Sequence, residues 1–133
     1  MSRLLFDTTF LIDAERTGAD LDDTIDDDDD VAIAAVTVAE LRVGALLADR
    51  RRRAARTAYV DDVIATLPIV DYDAEVAEHH AQLLVVVRSQ GRPRGAHDLI
   101  IAATARASGR TVLSADLDAF GDLPGVDIRS SDR

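Results

Sequence analysis

The chain has no cysteine, no lysine and no tryptophan, and aromatic side chains make up only 4% of its 133 residues. The missing cysteine excludes disulfides, thiolate zinc sites and a cysteine nucleophile. The missing lysine argues against a phospho-acceptor signalling domain, which holds its phosphate with one. It also removes a usual acid–base partner of a metal-free ribonuclease, and the three histidines form no convincing pair. No apolar run approaches the length of a membrane span. Asp7 and Asp13 interrupt any secretory core near the N-terminus. A cytoplasmic protein with no membrane partner is the expectation. With so few aromatics, the core must come mainly from the Val, Leu, Ile and Ala within a 47% hydrophobic composition.

The charge that is present is one-sided. Net charge is −10, all 15 basic residues are Arg, and all but four of the 25 acids are Asp. Such a surface resembles that of cytoplasmic proteins from salt-loving archaea, in which hydrated carboxylates maintain solubility. An acidic protein is ordinarily repelled by nucleic acid. At about 1 M salt the Debye length is only about 3 Å, and that repulsion largely disappears. The composition therefore opposes a nucleic-acid substrate without excluding it.

Along the chain, apolar runs alternate with helical patterns. Residues 3–6, 31–36, 69–70, 111–113 and 126–128 read as strands. Helices are expected at residues 10–15, from Thr37 to about 49, from 53 to about 67, from an Asp73 cap to about 90, and over 97–108. Residues 19–26 read as a polar helix or loop, and 115–120 as a short helix or turn. The five consecutive acids at 26–30 read as a solvated turn, lacking the alternation and central glycine of a calcium loop. Length and pattern indicate one α/β domain over 1–133, with a mostly parallel central sheet, helices on both faces and a loose tail at 129–133.

Four acids stand out by position. Asp7, Glu40, Asp98 and Asp116 each follow a short apolar run, three at strand ends and one leading into a helix. In a parallel α/β sheet such positions gather at one edge. Gathered carboxylates repel one another unless a cation sits among them, and a hard divalent metal with oxygen ligands is the natural occupant. Each acid also has a purely structural role open to it. Asp7 and Asp116 suit turns or caps, and Asp98 suits the first turn of a helix. Thr37-Val38-Ala39-Glu40 fits a capping box. Thr9 offers an alternative helix cap that would free Asp7. Arg92 and Arg94 precede Asp98, where they suit a substrate phosphate or a solvated loop equally well.

Four segments together resemble the PIN-domain family and, within it, the VapC toxins of toxin–antitoxin pairs. They are Asp7-Thr8-Thr9-Phe10-Leu11-Ile12, Val36-Thr37-Val38-Ala39-Glu40-Leu41-Arg42-Val43-Gly44, Asp98-Leu99-Ile100-Ile101-Ala102-Ala103 and Val112-Leu113-Ser114-Ala115-Asp116. The resemblance implies a PIN-like fold and a Mg²⁺- or Mn²⁺-dependent endoribonuclease held inactive by a cognate VapB-like antitoxin. Its metal-site acids fall on Asp7, Glu40, Asp98 and Asp116, with Asp7 and Asp98 as direct ligands and Glu40 and Asp116 acting through waters. Its small hydroxyl residues fall on Thr9 and Ser114. A small shift would put Asp118 in place of Asp116.

Expected partners are RNA, the antitoxin and a second copy of the chain. Leu41, Leu46, Leu47, Tyr59 and Val63, on the helices after Thr37 and Arg53, suggest more apolar surface than one sheet face needs; a groove there could receive an antitoxin segment, and another face could pair two copies. Rival readings are a nuclease of the same fold acting in RNA maturation or on DNA without an antitoxin, and a non-catalytic scaffold that binds a metal or partner. The salt-loving composition is tested by unfolding: the midpoint should rise in molar KCl. Equal stability at low salt would contradict it.

Overall fold

The computed structural model describes residues 1–131. β1 (Arg3–Phe6) leads into α1 (Thr8–Thr17), and a 3-10 turn at Leu21–Asp23 precedes β2 (Asp30–Ala34). Then come α2 (Ala35–Leu47), α3 (Arg53–Thr66), β3 (Ile69–Val70), α4 (Ala74–Gln90) and α5 (Ala96–Ser108). β4 (Thr111–Ser114), a 3-10 turn at Leu117–Ala119 and β5 (Ile128–Ser130) complete the described chain. The strands lie in the order β3-β2-β1-β4-β5, with every neighbouring pair parallel.

Strand alternation divides the interior in two. Leu5, Ala32, Ala34 and Val112 face one side, where α4 and α5 pack with Leu83, Leu99 and Ile101. Leu4, Phe6, Val31, Ile33 and Leu113 face the other, against Leu11 of α1, Leu41 of α2 and Val60 of α3. Both sheet faces are thus covered, as a parallel sheet requires, and the strands read as unbroken apolar runs. Phe6 also packs on Phe10 with ring centroids 4.7 Å apart.

Register sets the position of the functional edge. Phe6 is level with Ile33 on one side and Leu113 on the other. The residues that follow, Asp7, Ala34 and Ser114, therefore emerge together at the carboxyl edge. The chain builds outward in opposite directions from β1, so the crevice between β1 and β4 is a topological switch point. The opposite edge is fastened by Arg110. Its guanidinium donates to the carbonyls of Leu4 (3.2 Å) and Asp30 (2.9 Å) and to Asp30 Oδ1 (3.1 Å).

Several boundaries differ from the sequence reading. β2 ends at Ala34 and α2 starts at Ala35, so Thr37 lies inside the first turn and does not cap it. β5 is displaced C-terminally to Ile128–Ser130, because the ladder with β4 runs on through Ser114 and Ser130. Arg129 and Ser130 of the expected loose tail are therefore in the sheet, while residues 132–133 lie outside the described chain. Of the residues taken as surplus apolar surface, Leu41 and Val63 are core and Tyr59 donates to Leu11 O (2.7 Å). Leu46 and Leu47 are exposed, as expected.

The run at 26–30 is a folded corner. Asp29 accepts from the backbone N–H of Ser2 (2.9 Å) and Asp26 (2.8 Å), and Asp28 lies 3.5 Å from the N-terminal amine. Those hydrogen bonds hold the Asp29 carboxyl below its ordinary pKa.

Because Leu5 is fully buried on the central strand, Leu5→Ala should cost about 3 kcal/mol in urea unfolding. Leu47→Ala, on an exposed helix end, should cost less than about 0.5 kcal/mol. Similar losses for both would contradict the two-layer core.

Candidate active site

Asp7 is the buried member of the acid set, only 2% exposed. It ends β1 and is also the N-cap of α1, with extended backbone and Oδ1 accepting from Phe10 N at 2.8 Å. Its Oδ2 accepts from Ser114 Oγ at 2.6 Å. Ser114 in turn accepts from the backbone N–H of Asp116 at 2.9 Å, which joins the ends of β1 and β4 through one hydroxyl. Asp116 then caps the following 3-10 turn through Ala119 N (3.3 Å).

Glu40 comes from α2 and is only partly exposed. Its Oε1 accepts from Thr8 Oγ1 (2.7 Å), and Thr8 Oγ1 shares a second hydrogen bond with the buried Thr37 Oγ1 (3.1 Å). Its other oxygen faces His97 Nδ1 at 3.3 Å. Glu40 thus reaches across to α1 and α5 and not back to its own helix start, so the capping-box reading fails. Helix phase is the reason: with α2 beginning two residues earlier, Thr37 points inward and Glu40 points at the neighbouring elements.

Asp98 stands in the first turn of α5, partly buried. Its Oδ2 is so close to Gly95 that a Cβ there would come within 2.7 Å of it. Gly95, Ala96, His97, Asp98 and Glu40 line an open depression of about 280 Å³.

Asp7 lies within electrostatic reach of Asp98 and Asp116, and Asp98 within reach of Glu40 and Asp116. Burial raises the Asp7 carboxyl above its ordinary value, the Ser114 and Phe10 hydrogen bonds oppose this, and the charges of Asp98 and Asp116 add to it. Asp98 is raised by burial first, then by Glu40 and Asp116, with His97 opposing. Asp118, two residues beyond Asp116, contributes to neither and is exposed.

Other expected contributors fall elsewhere. Thr9 is exposed and does not cap α1; Asp7 does so itself, and the inward hydroxyl is that of Thr8. The three-residue spacing from Asp7 to Phe10 N determines this phase. Arg92 meets Asp122 (3.3 Å), while Arg94 donates to the carbonyls of Ala119 (3.3 Å) and Gly121 (2.6 Å). Both thus tie the loop before α5 to the turn after β4. His80 pairs with Tyr72, outside this site. The sequence did not single out Thr8 or Gly95. Its pattern marks His97 only by its position next to Asp98.

The donor set is all oxygen apart from His97, which suits a hard divalent cation better than a soft one. Among the described residues, the acids whose oxygens all lie within 4.8 Å of one another are Asp26, Asp28 and Asp29, a group that could hold a metal. The wider separation at the β1–β4 crevice suits carboxylates that reach an ion partly through its waters.

Asp7 and Asp98 bind protons more readily in the fold than when unfolded. Their destabilisation is therefore absent at acid pH and grows as pH rises above the ordinary value of 3.8. In EDTA at pH 7, Asp98→Asn should raise the thermal midpoint by up to about 4 °C, equivalent to about 1 kcal/mol, and flatten its pH dependence. An unchanged or lower midpoint would contradict the repulsion.

The chain matches the PIN domain family over residues 4–126. It is 33% identical over 100 residues to the tRNA(fMet)-specific endonuclease VapC of Salmonella typhimurium, covering 74% of this chain and 73% of that one. It is 37% identical over 125 residues to ribonuclease VapC5 of Mycobacterium tuberculosis, covering 92% and 88%. Among solved structures it superposes on the VapBC-5 toxin–antitoxin complex of Mycobacterium tuberculosis with a TM-score of 0.80 and 31% identity, covering 98% and 99%. Relatives named VapC ribonucleases share about a third of its sequence over the matched length, and a neighbour solved as a VapBC complex shares its fold. The chain belongs to the PIN-domain family.

Proposed function

We propose that this protein is a metal-dependent endoribonuclease, the toxin of a VapBC-type pair, which hydrolyses RNA phosphodiester bonds until a VapB-like antitoxin covers it. The observation that carries this reading is the buried Asp7, hydrogen-bonded across the ends of β1 and β4, where burial raises its carboxyl and the charges of Asp98 and Asp116 add to the effect. A cation among these acids offsets both the burial and the repulsion of their charged forms.

The donor set fits Mg²⁺ or Mn²⁺: Asp7 and Asp98 would hold the ion directly, and Glu40 and Asp116 would act through waters. When bound, the ion makes water nucleophilic at neutral pH and neutralises charge developing on the phosphoryl oxygens. The protein's own contribution is positioning. Ser114 orients the second oxygen of Asp7 and holds the Asp116 backbone. Thr8 and His97 take one oxygen each of Glu40 and set its reach toward the crevice. Gly95 leaves room for Asp98, since any side chain there would collide with the carboxylate. In-line attack would leave a 5′-phosphate and a 3′-hydroxyl.

The antitoxin assignment is supported by the VapBC complexes among the structural neighbours. No helix among the described residues is long and apolar enough to cross a membrane, in keeping with the cytoplasmic site proposed for the reaction. A second copy of the chain completes the proposed set of partners.

RNA cleavage followed by end sequencing provides the test. EDTA should abolish cleavage and excess Mg²⁺ restore it. Asp98→Asn should reduce the rate about a thousand-fold while the domain stays folded. Full activity in EDTA or in the variant would overturn the proposal.

A further inference from the structure

Four consecutive arginines, residues 50–53, run into the start of α3. A helix N-terminus carries partial positive charge, which favours acids and disfavours cations. The first turn of α3 contains no acid; the acid at its start is Asp49, whose carboxylate accepts from the backbone N–H of Arg52, so four arginines stand against one capping carboxylate. In a chain with 25 acids against 15 arginines, this is a concentrated breach of a local rule. Such breaches are expected where a sequence serves binding at the expense of stability.

The fold gives the breach a direction. Arg51 and Arg52 line a groove of about 470 Å³ between α1, α2 and α3, together with Arg16 and Arg56, four cations against the acids Glu15 and Glu40. Arg16 and Arg56 have only loose contacts, 4.0 Å to Asp13 and 3.7 Å to Glu15. Among the described residues, the Arg51 and Arg52 side chains make no hydrogen bond or ion pair. The nearby Asp49 carboxylate is occupied by the backbone N–H of Arg52 (3.0 Å). The floor is apolar, with Leu41, Ala45 and Val60, and open at Gly44, where a Cβ would meet nothing within 4 Å. Glu40 lines the same groove and also the depression beside Asp98, so the two adjoin at this side chain.

We infer that this groove is the track for single-stranded RNA flanking the scissile phosphate, with Arg51 and Arg52 on backbone phosphates and Arg16 and Arg56 along the same path. The inference rests on the proposed ribonuclease activity and adds where the substrate lies. Charge complementarity selects the occupant: unpaired guanidiniums suit phosphates, an apolar floor suits unstacked bases, and guanidinium planes can stack on them. A strand following the groove meets the acid cluster at Glu40, which places its phosphodiester at the site. Because the rest of the surface is acidic, the groove would also orient the substrate.

The test measures binding of a fluorescent single-stranded RNA to Asp98→Asn protein in Ca²⁺, across a range of KCl, with and without Arg51→Gln/Arg52→Gln. Arg88→Gln, at the exposed end of α4, is the control. The double variant should make the plot of log affinity against log salt shallower by about 1.4 units, the loss of two phosphate contacts on a single strand. Arg88→Gln should leave the slope unchanged. The double variant should fold with an unchanged or higher thermal midpoint, because it removes cations from a positive helix end.

An unchanged slope in a protein whose parent cleaves RNA would overturn the groove assignment alone. An unchanged slope with lost affinity for a smaller protein partner would assign the groove to that partner and equally overturn it. Absence of both cleavage and RNA binding in the parent would instead overturn the ribonuclease reading.

Discussion

Mutual repulsion among carboxylates gathered at one sheet edge is the constraint on which the rest of the structure depends. Register between β1 and β4 brings Asp7 and Ser114 level, and the two helices that supply Glu40 and Asp98 pack from opposite faces of the sheet. None of these acids is near another in sequence, so their proximity is a property of the topology. Burial first, and repulsion added to it, raises the proton affinity of Asp7 and Asp98. A cation offsets both, which is why binding and folding would be coupled here.

The surrounding scaffold resists relaxation of the cluster. Asp7 is held by a backbone N–H and a serine hydroxyl, and Glu40 by a threonine and a histidine from two other elements. These contacts keep acids together that would otherwise turn to solvent. Arg92 and Arg94 act at longer range, fastening the loop before α5 to the turn after β4. The loop that presents Asp98 and the turn that presents Asp116 are thereby tied to one another.

Much of the architecture was legible in the sequence because parallel strands are apolar on both faces and Gly, Pro and Asp punctuate them. The α/β class, the order of elements, the Asp73 cap and the helix end at Gly109 follow from such local signals. Boundaries without local chemistry were not legible. α2 starts without a side-chain cap, so nothing marked Ala35, and the plausible Thr37–Glu40 pattern suggested a later start. β5 is weakly apolar and is held by ladder hydrogen bonds to β4, which a single-strand pattern cannot reveal. At the site, the acids were visible by position, but the choice of Thr8 over Thr9 depends on helix phase. The turn expected at 26–30 is present and exposed at 26–28; what the pattern did not reveal is that Asp29 satisfies two backbone donors and that Asp30 opens β2.

Two acidic clusters therefore compete for any divalent cation: the β1–β4 crevice, and the surface corner of Asp26, Asp28 and Asp29. The corner is the tighter group but is more exposed, and one of its carboxylates is already occupied by backbone donors. The most direct measurement is anomalous diffraction from crystals grown in low-millimolar MnCl₂. The account predicts a manganese peak between Asp7 and Asp98. A peak at the 26–29 corner with none in the crevice would contradict it.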